Sequence, residues 1–143
     1  MAERERDATV TDRLLIVDDQ PQFGDIIAKV GRSVGFDVKA TERANEFRRL
    51  LDSFQPTVVT IDLVMPETDG IALLRELAAH RCKASILVTS GLDVRTLSWA
   101  ETLGRELGLK LAGVIPKPVR VAERRTLLEG LKSPQSSTTG TAN

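Results

Sequence analysis

Five times along this 143-residue chain a short aliphatic run is followed by a stretch whose apolar residues recur at helical spacing. The first run, Leu14-Leu15-Ile16-Val17, is continuous and ends in acidic residues, which suits a strand buried on both faces of a parallel sheet. Pro21 follows closely. Phe23, Ile26, Ile27, Val30 and Val34 then mark one face of a helix that Gly35 stops. Phe36 to Ala40 alternates like a strand nearer a sheet edge, and Ala44, Phe47, Leu50, Leu51 and Phe54 predict a second helix that ends before Pro56. Val58-Val59-Thr60-Ile61 is the third strand, with a third helix through Ile71, Leu74, Leu77 and Ala78. Ser85 to Thr89 is the fourth strand, followed by a helix from Val94 to Leu107. Leu111 to Ile115 returns as the fifth strand before a last helix through Val121, Leu127, Leu128 and Leu131. Five strand-then-helix units predict an α/β fold, a doubly wound five-stranded parallel sheet, because each right-handed crossover places its helix on a face of the sheet.

The length suits one domain with an ordinary core, expected over residues 13–131. The first twelve residues are expected to be flexible, and the segment 132–143, rich in Ser, Thr and Gly with no apolar periodicity, to be disordered. Lys plus Arg and Asp plus Glu are each 20, so no nucleic-acid footprint is implied and any charged site must be local. No apolar run is long enough for a signal or membrane span, so a cytoplasmic protein is expected. Cys82 is the single cysteine. That excludes an internal disulfide and a metal site built from several thiolates.

Ligands of doubly wound sheets bind beyond the carboxyl ends of the strands. Asp18, Asp19, Asp62, Thr89 and Lys117 all fall at such ends and converge on one edge. Three carboxylates repel one another unless a hard cation sits among them, and oxygen-only ligation suits magnesium or manganese. Such an ion can bridge to a phosphoryl oxygen, with Lys117 as a second positive charge and the Thr89 hydroxyl for another phosphoryl oxygen. Asp62, alone at the end of the central strand, is the natural nucleophile. Taken singly, each residue also has a plain reading: Asp18-Asp19 as a helix cap or loop surface, Thr89 as a β-former, Lys117 as a solvated side chain. The combination, all at strand ends, favours the chemical reading.

With these residues in place the chain resembles a response-regulator receiver domain of two-component signalling, over roughly Arg13 to Gly130. The matching pieces are Leu-Ile-Val-Asp-Asp (15 to 19), Ile-Asp-Leu-Val-Met-Pro-Glu-Thr-Asp-Gly (61 to 70), Val-Thr-Ser-Gly (88 to 91) and Lys-Pro (117 to 118). The resemblance implies a CheY-like, flavodoxin-like sheet of order 2-1-3-4-5 with five helices. It implies that Asp62 is the phosphoacceptor, that Asp18, Asp19, Asp62 and the backbone carbonyl of Val64 hold Mg2+, and that Thr89 and Lys117 contact the phosphoryl group. It also implies that Pro66 and Gly70 shape the loop after the acceptor, and that the Lys117-Pro118 bond is cis. A sensor histidine kinase or phosphotransfer protein is the implied donor. With no output domain after Leu131, a stand-alone regulator acting on an unknown protein target through its fourth helix, fifth strand and fifth helix is expected, a homodimer being possible and nucleic acid and membrane not.

Three departures qualify the resemblance. Val114 stands where many receivers carry Tyr or Phe, so the usual pairing of a threonine with an aromatic is missing. Pro116 in the fifth strand is tolerable only at an edge or a strand end. The long segment between Thr89 and Lys117 predicts a long fourth helix carrying Trp99, which is expected to pack toward the sheet, the alternative being a place on a partner surface. His80 is expected to serve at the surface or as a cap, and Arg120, Arg124 and Arg125 to form a solvated face or a recognition face. Two other functions compete. An aspartate-nucleophile phosphatase generally wants an acid two residues beyond the nucleophile, where Val64 stands, and a pseudo-receiver scaffold needs none of the five polar residues.

Overall fold

A computed structural model describes residues 11–65, 68–90, 94–116 and 121–132. The expected flexible and disordered termini, Pro66, Lys117 with the Lys117-Pro118 bond, and Arg120 lie outside them, apart from Thr11, Asp12 and Lys132. In chain order the elements are β1 (Arg13–Val17), α1 (Pro21–Ser33), β2 (Asp37–Thr41), α2 (Ala44–Phe54), β3 (Val58–Asp62), α3 (Gly70–Ala79), β4 (Ser85–Ser90), α4 (Val94–Glu106), β5 (Lys110–Pro116) and α5 (Val121–Gly130). The strands form one parallel sheet in the order β2-β1-β3-β4-β5. This is the flavodoxin-like order that the sequence led us to expect. The loop after β3 adds a short antiparallel ribbon, Val64–Met65 against Thr68–Asp69.

Burial explains the aliphatic runs. β3 is buried at all five positions and β1 at four of five, as strands covered on both faces must be. On one face Leu15, Val17, Val59, Ile61, Ile86 and Val88 pack with Phe47 and Phe54 of α2 and Leu73, Leu74 and Leu77 of α3. On the other, Leu14, Ile16, Val58 and Leu87 meet Ile27 and Val30 of α1 and Leu128 of α5. β2 is an edge strand, and the expected alternation holds from Phe36 to Lys39 but breaks at its end, where Ala40 is exposed and Thr41 buried. It begins one residue later than the sequence suggested and runs on to Thr41. Likewise α1 starts at Pro21 and not at Phe23, since proline's fixed φ suits the first helical position and its missing N–H costs nothing there.

β5 is the opposite edge, and Pro116 is its last residue, where the lost ladder donor is harmless. Its pairing slips beside Ile86: Ile86 faces Leu111 and Leu87 faces Gly113, which leaves Ala112 bulged. The bulge and the terminal proline blunt an exposed edge. α4 lies close over this strand through Gly104, where any Cβ would collide with the Leu111 side chain.

Two polar devices fix α2. The Thr41 hydroxyl accepts from the Arg43 backbone N–H (3.2 Å) and donates to Glu46 (2.5 Å) in the first turn. Farther along, the Arg48 guanidinium forks onto Glu76 of α3, Nε to Oε1 at 2.5 Å and Nη2 to Oε2 at 2.9 Å. That hydrogen bonding is the main reason the Glu76 carboxyl titrates below, and the Arg48 guanidinium above, its ordinary range. A carboxyl with a depressed pKa stabilises the fold above the ordinary carboxylate range, and the contribution fades as pH falls through the lowered value. Both side chains are more than a third exposed, so solvent screening holds the pair to about 0.5 kcal/mol. Glu76→Gln is therefore expected to lower the melting temperature by a degree or two at pH 7. The gap from wild type should close as the pH drops below about 4.

One buried group works against stability. Thr60, between Ile16 and Leu87 in register, is buried, and its Oγ1 has no hydrogen-bond partner among the described residues. Thr60→Val keeps the branched shape and removes the stranded hydroxyl. We expect a stability gain of about 1 kcal/mol, read as a higher midpoint in urea at unchanged slope.

Trp99 corrects one expectation. It does not pack toward the sheet: 53% of its surface is exposed. Gly104 takes the close contact with β5, and five residues along a helix turn the indole about 140° away from that contact. His80 is at the surface as expected. Its Nδ1 lies 2.8 Å from the Glu76 carbonyl oxygen, at the end of α3. Cys82 is half-buried.

Candidate functional site

The carboxyl edge of the sheet gathers the acidic residues because β1 and β3 are neighbours and end at the same level, Val17 facing Ile61. Asp18 follows directly on β1, and Asp62 closes β3. Asp18 is held at both backbone and side chain. Its N–H donates to the Thr41 carbonyl at 3.1 Å, and its Oδ1 accepts from the Gln20 N–H at 2.9 Å. The second bond is an Asx turn that leads into α1. Sequence reading missed Thr41 and Gln20 as supports; an Asp two residues ahead of a helix-starting Gln-Pro pair was the available signal.

Asp18 and Asp62 are each 2% exposed and Asp19 is half-buried. One carboxylate oxygen from each of the three lies within 4.8 Å of the others. At that separation two unit charges repel by roughly 3 kcal/mol at an effective dielectric near 20. The donor set is all oxygen and all anionic. It fits a hard divalent cation such as Mg2+, which binds through carboxylates and keeps part of its water shell.

Thr89 completes the described part of the site. It is 3% exposed and directly opposite Asp62 in the β3–β4 ladder, and its carbonyl accepts from the Leu63 N–H at 2.9 Å. Because side chains alternate along strands, Asp62 and Thr89 share the face that carries Val58 and Leu87. Val64 opens the small ribbon two residues past Asp62, paired with Asp69. Lys117 lies outside the described residues. The strand leading to it ends at Pro116 opposite Ser90, one position beyond Thr89. Val114 pairs with Val88, so an aliphatic residue occupies the level at which an aromatic was missing from the sequence.

A parallel 2-1-3-4-5 sheet with an aspartate trio, two of the three buried, at its carboxyl edge is the architecture of a signalling receiver, and comparison with known proteins agrees. The family described as "response regulator receiver domain" matches residues 14–129, and the chain belongs to it. It is 34% identical over 113 residues to the protein-glutamate methylesterase/protein-glutamine glutaminase of group 2 operon of Bradyrhizobium diazoefficiens, covering 78% of this chain and 28% of that one. It is 32% identical over 89 residues to the regulatory protein AtoC of Escherichia coli, covering 62% of this chain and 19% of that one. The chain thus spans well under half the length of these relatives. Among solved structures, a response regulator from Colwellia psychrerythraea aligns with a TM-score of 0.75 at 30% identity, over 85% of this chain and 97% of that one. A signal receiver domain from Bermanella marisrubri aligns with a TM-score of 0.74 at 27% identity, over 85% and 98%.

Proposed function

We propose that this receiver takes a phosphoryl group on Asp62 from a sensor histidine kinase or phosphotransfer protein and signals through altered protein contacts. The observation that carries this reading is the placement of Asp62 within 4.8 Å of Asp18 and Asp19 and opposite Thr89. In the transfer, an Asp62 carboxylate oxygen forms a bond to phosphorus while the bond from phosphorus to the donor imidazole nitrogen breaks, and the imidazole leaves with the electron pair. Asp18, Asp19, Asp62 and the Val64 carbonyl would hold Mg2+, which when bound supplies neutralisation of charge on the phosphoryl oxygens. The Thr89 hydroxyl donates to one phosphoryl oxygen and the Lys117 ammonium pairs with another. Asp18 stays aimed because the Thr41 carbonyl and the Gln20 N–H fix it.

No turnover of a separate substrate is part of this reading. The methylesterase activity in the name of the Bradyrhizobium relative belongs to a protein of which this chain matches 28%. The signal is assigned to α4, β5 and α5, with Val114 in place of a rotating aromatic, and the setting to the cytoplasm. Among the described residues no helix is long and apolar enough to cross a membrane. The test is beryllofluoride with Mg2+, a mimic of the aspartyl phosphate. Wild type is expected to bind it and to change its Trp99 emission or oligomeric state, and Asp62→Ala to do neither. Equal responses in the two proteins would sink the reading.

A further inference from the structure

The amino edge of the sheet, at the opposite end of the strands from Asp62, carries a second concavity. It is a cleft of about 1150 Å³, lined by α2, α3, the starts of β4 and β5 and the end of α5. Apolar residues in its lining include Leu51, Cys82 and Leu131, all half-buried. Its rim is cationic. Arg49, Lys83 and Lys110 are exposed there, and no ion pair within the described residues engages them.

The acids of the same lining do not balance that charge. Glu76 is committed to Arg48, and Asp12 is buried with an interaction of its own. What remains is Asp52 against the three rim cations and Lys132. In a chain of zero net charge this is a local excess, not the average surface.

We infer that the cleft docks an acidic amphipathic segment of a partner protein, its apolar side chains on the Leu51-Cys82-Leu131 surface and its carboxylates on the rim. Charge complementarity selects the sign of the occupant, and the apolar surface selects a segment with hydrophobic anchors over a simple polyanion. The cleft opens to solvent along an exposed, charged rim, which suits a peptide segment better than a small molecule, whose sites bury most of the ligand surface. Strands of five residues at about 3.3 Å each put this edge roughly 16 Å from Asp62, so an occupant leaves the acceptor open. The inference therefore does not rest on the phosphoryl reading.

The test uses the full chain and a labelled synthetic amphipathic helix carrying Glu and Leu, against the same helix with Gln for each Glu. Anisotropy reads the affinity, and alkylation of Cys82, the single thiol, reads the place. The glutamate helix should bind at least tenfold tighter than the glutamine helix and, at saturation, slow Cys82 alkylation at least fivefold. Lys83→Glu with Lys110→Glu should lose at least tenfold in affinity, while Arg75→Gln, exposed on α3 outside the lining, should change it less than twofold. The substituted positions are exposed, so melting temperatures should stay within a degree or two of wild type and losses cannot be charged to unfolding. Equal binding of the two helices, no binding of either, undiminished binding to the double variant, or binding with an unchanged alkylation rate would each overturn the inference.

Discussion

Asp18→Asn is expected to stabilise the metal-free protein and at the same time to abolish its stabilisation by magnesium. The two signs come from one geometry. Asp18 and Asp62 are almost fully buried with carboxylate oxygens close to each other and to Asp19, so removing one charge relieves repulsion when no cation is present. Asn can still accept from the Gln20 N–H through its own Oδ1, so the Asx turn and the start of α1 survive the change. We expect a gain of about 1–3 kcal/mol without metal, the upper figure being the repulsion of one carboxylate pair at an effective dielectric near 20. Wild type should gain about 2.7 kcal/mol when Mg2+ reaches a hundred times its dissociation constant, and the variant should gain close to nothing. Thermal melts in EDTA and across a magnesium titration check both signs. A variant destabilised without metal, or still protected by Mg2+, would show that the trio is not a cation site.

Phe47→Ala is expected to cost about 3–5 kcal/mol, a large part of the stability of a domain this size. Phe47 is fully buried on α2, where it packs in one cluster with Leu15 and Val59 of the sheet and Leu73 and Leu77 of α3. These neighbours cannot swing in to fill the hole, since they are themselves 0–1% exposed. A fall in melting temperature of roughly 10–15 °C should follow. Phe47→Leu, which keeps most of the volume, should cost less than half as much. A drop of only a degree or two for Phe47→Ala would mean that α2 is not docked on the sheet as described.

Much of this molecule is legible in its sequence because the sheet is parallel and covered on both faces. The runs at 14–17, 58–61 and 85–89 are largely aliphatic because nearly every position is covered, and each stands out against helices with one apolar stripe. The carboxylates show for the same reason: Asp18 and Asp62 interrupt aliphatic runs at the very point where a strand must end. What the sequence hides is non-local. The Thr41 carbonyl that fixes Asp18 comes from an edge strand, and nothing in the spacing of residues 18 and 41 announces it. The cleft at the amino edge is hidden in the same way, since Arg49 of α2, Lys83 of the loop before β4 and Lys110 of β5 are far apart in sequence and each reads singly as a solvated charge. The bulge at Ala112 depends on how β5 meets Ile86, and Trp99 lies on a flank of α4 where periodicity alone permits either burial or exposure. The stranded hydroxyl of Thr60 is hidden too, since a threonine in a strand reads as an ordinary β-former.

The central claim is that Asp62 carries the phosphoryl group. The direct measurement is the intact mass of the purified chain after incubation with Mg2+ and a small acyl phosphate, followed by peptide mapping of the modified form. Wild type should gain the mass of a single phosphoryl group, lost again in hydroxylamine as an acyl phosphate is, and the modified peptide should contain Asp62, while Asp62→Asn gains nothing. A mass gain in Asp62→Asn equal to that of wild type, or a modified peptide that lacks Asp62, would contradict the account.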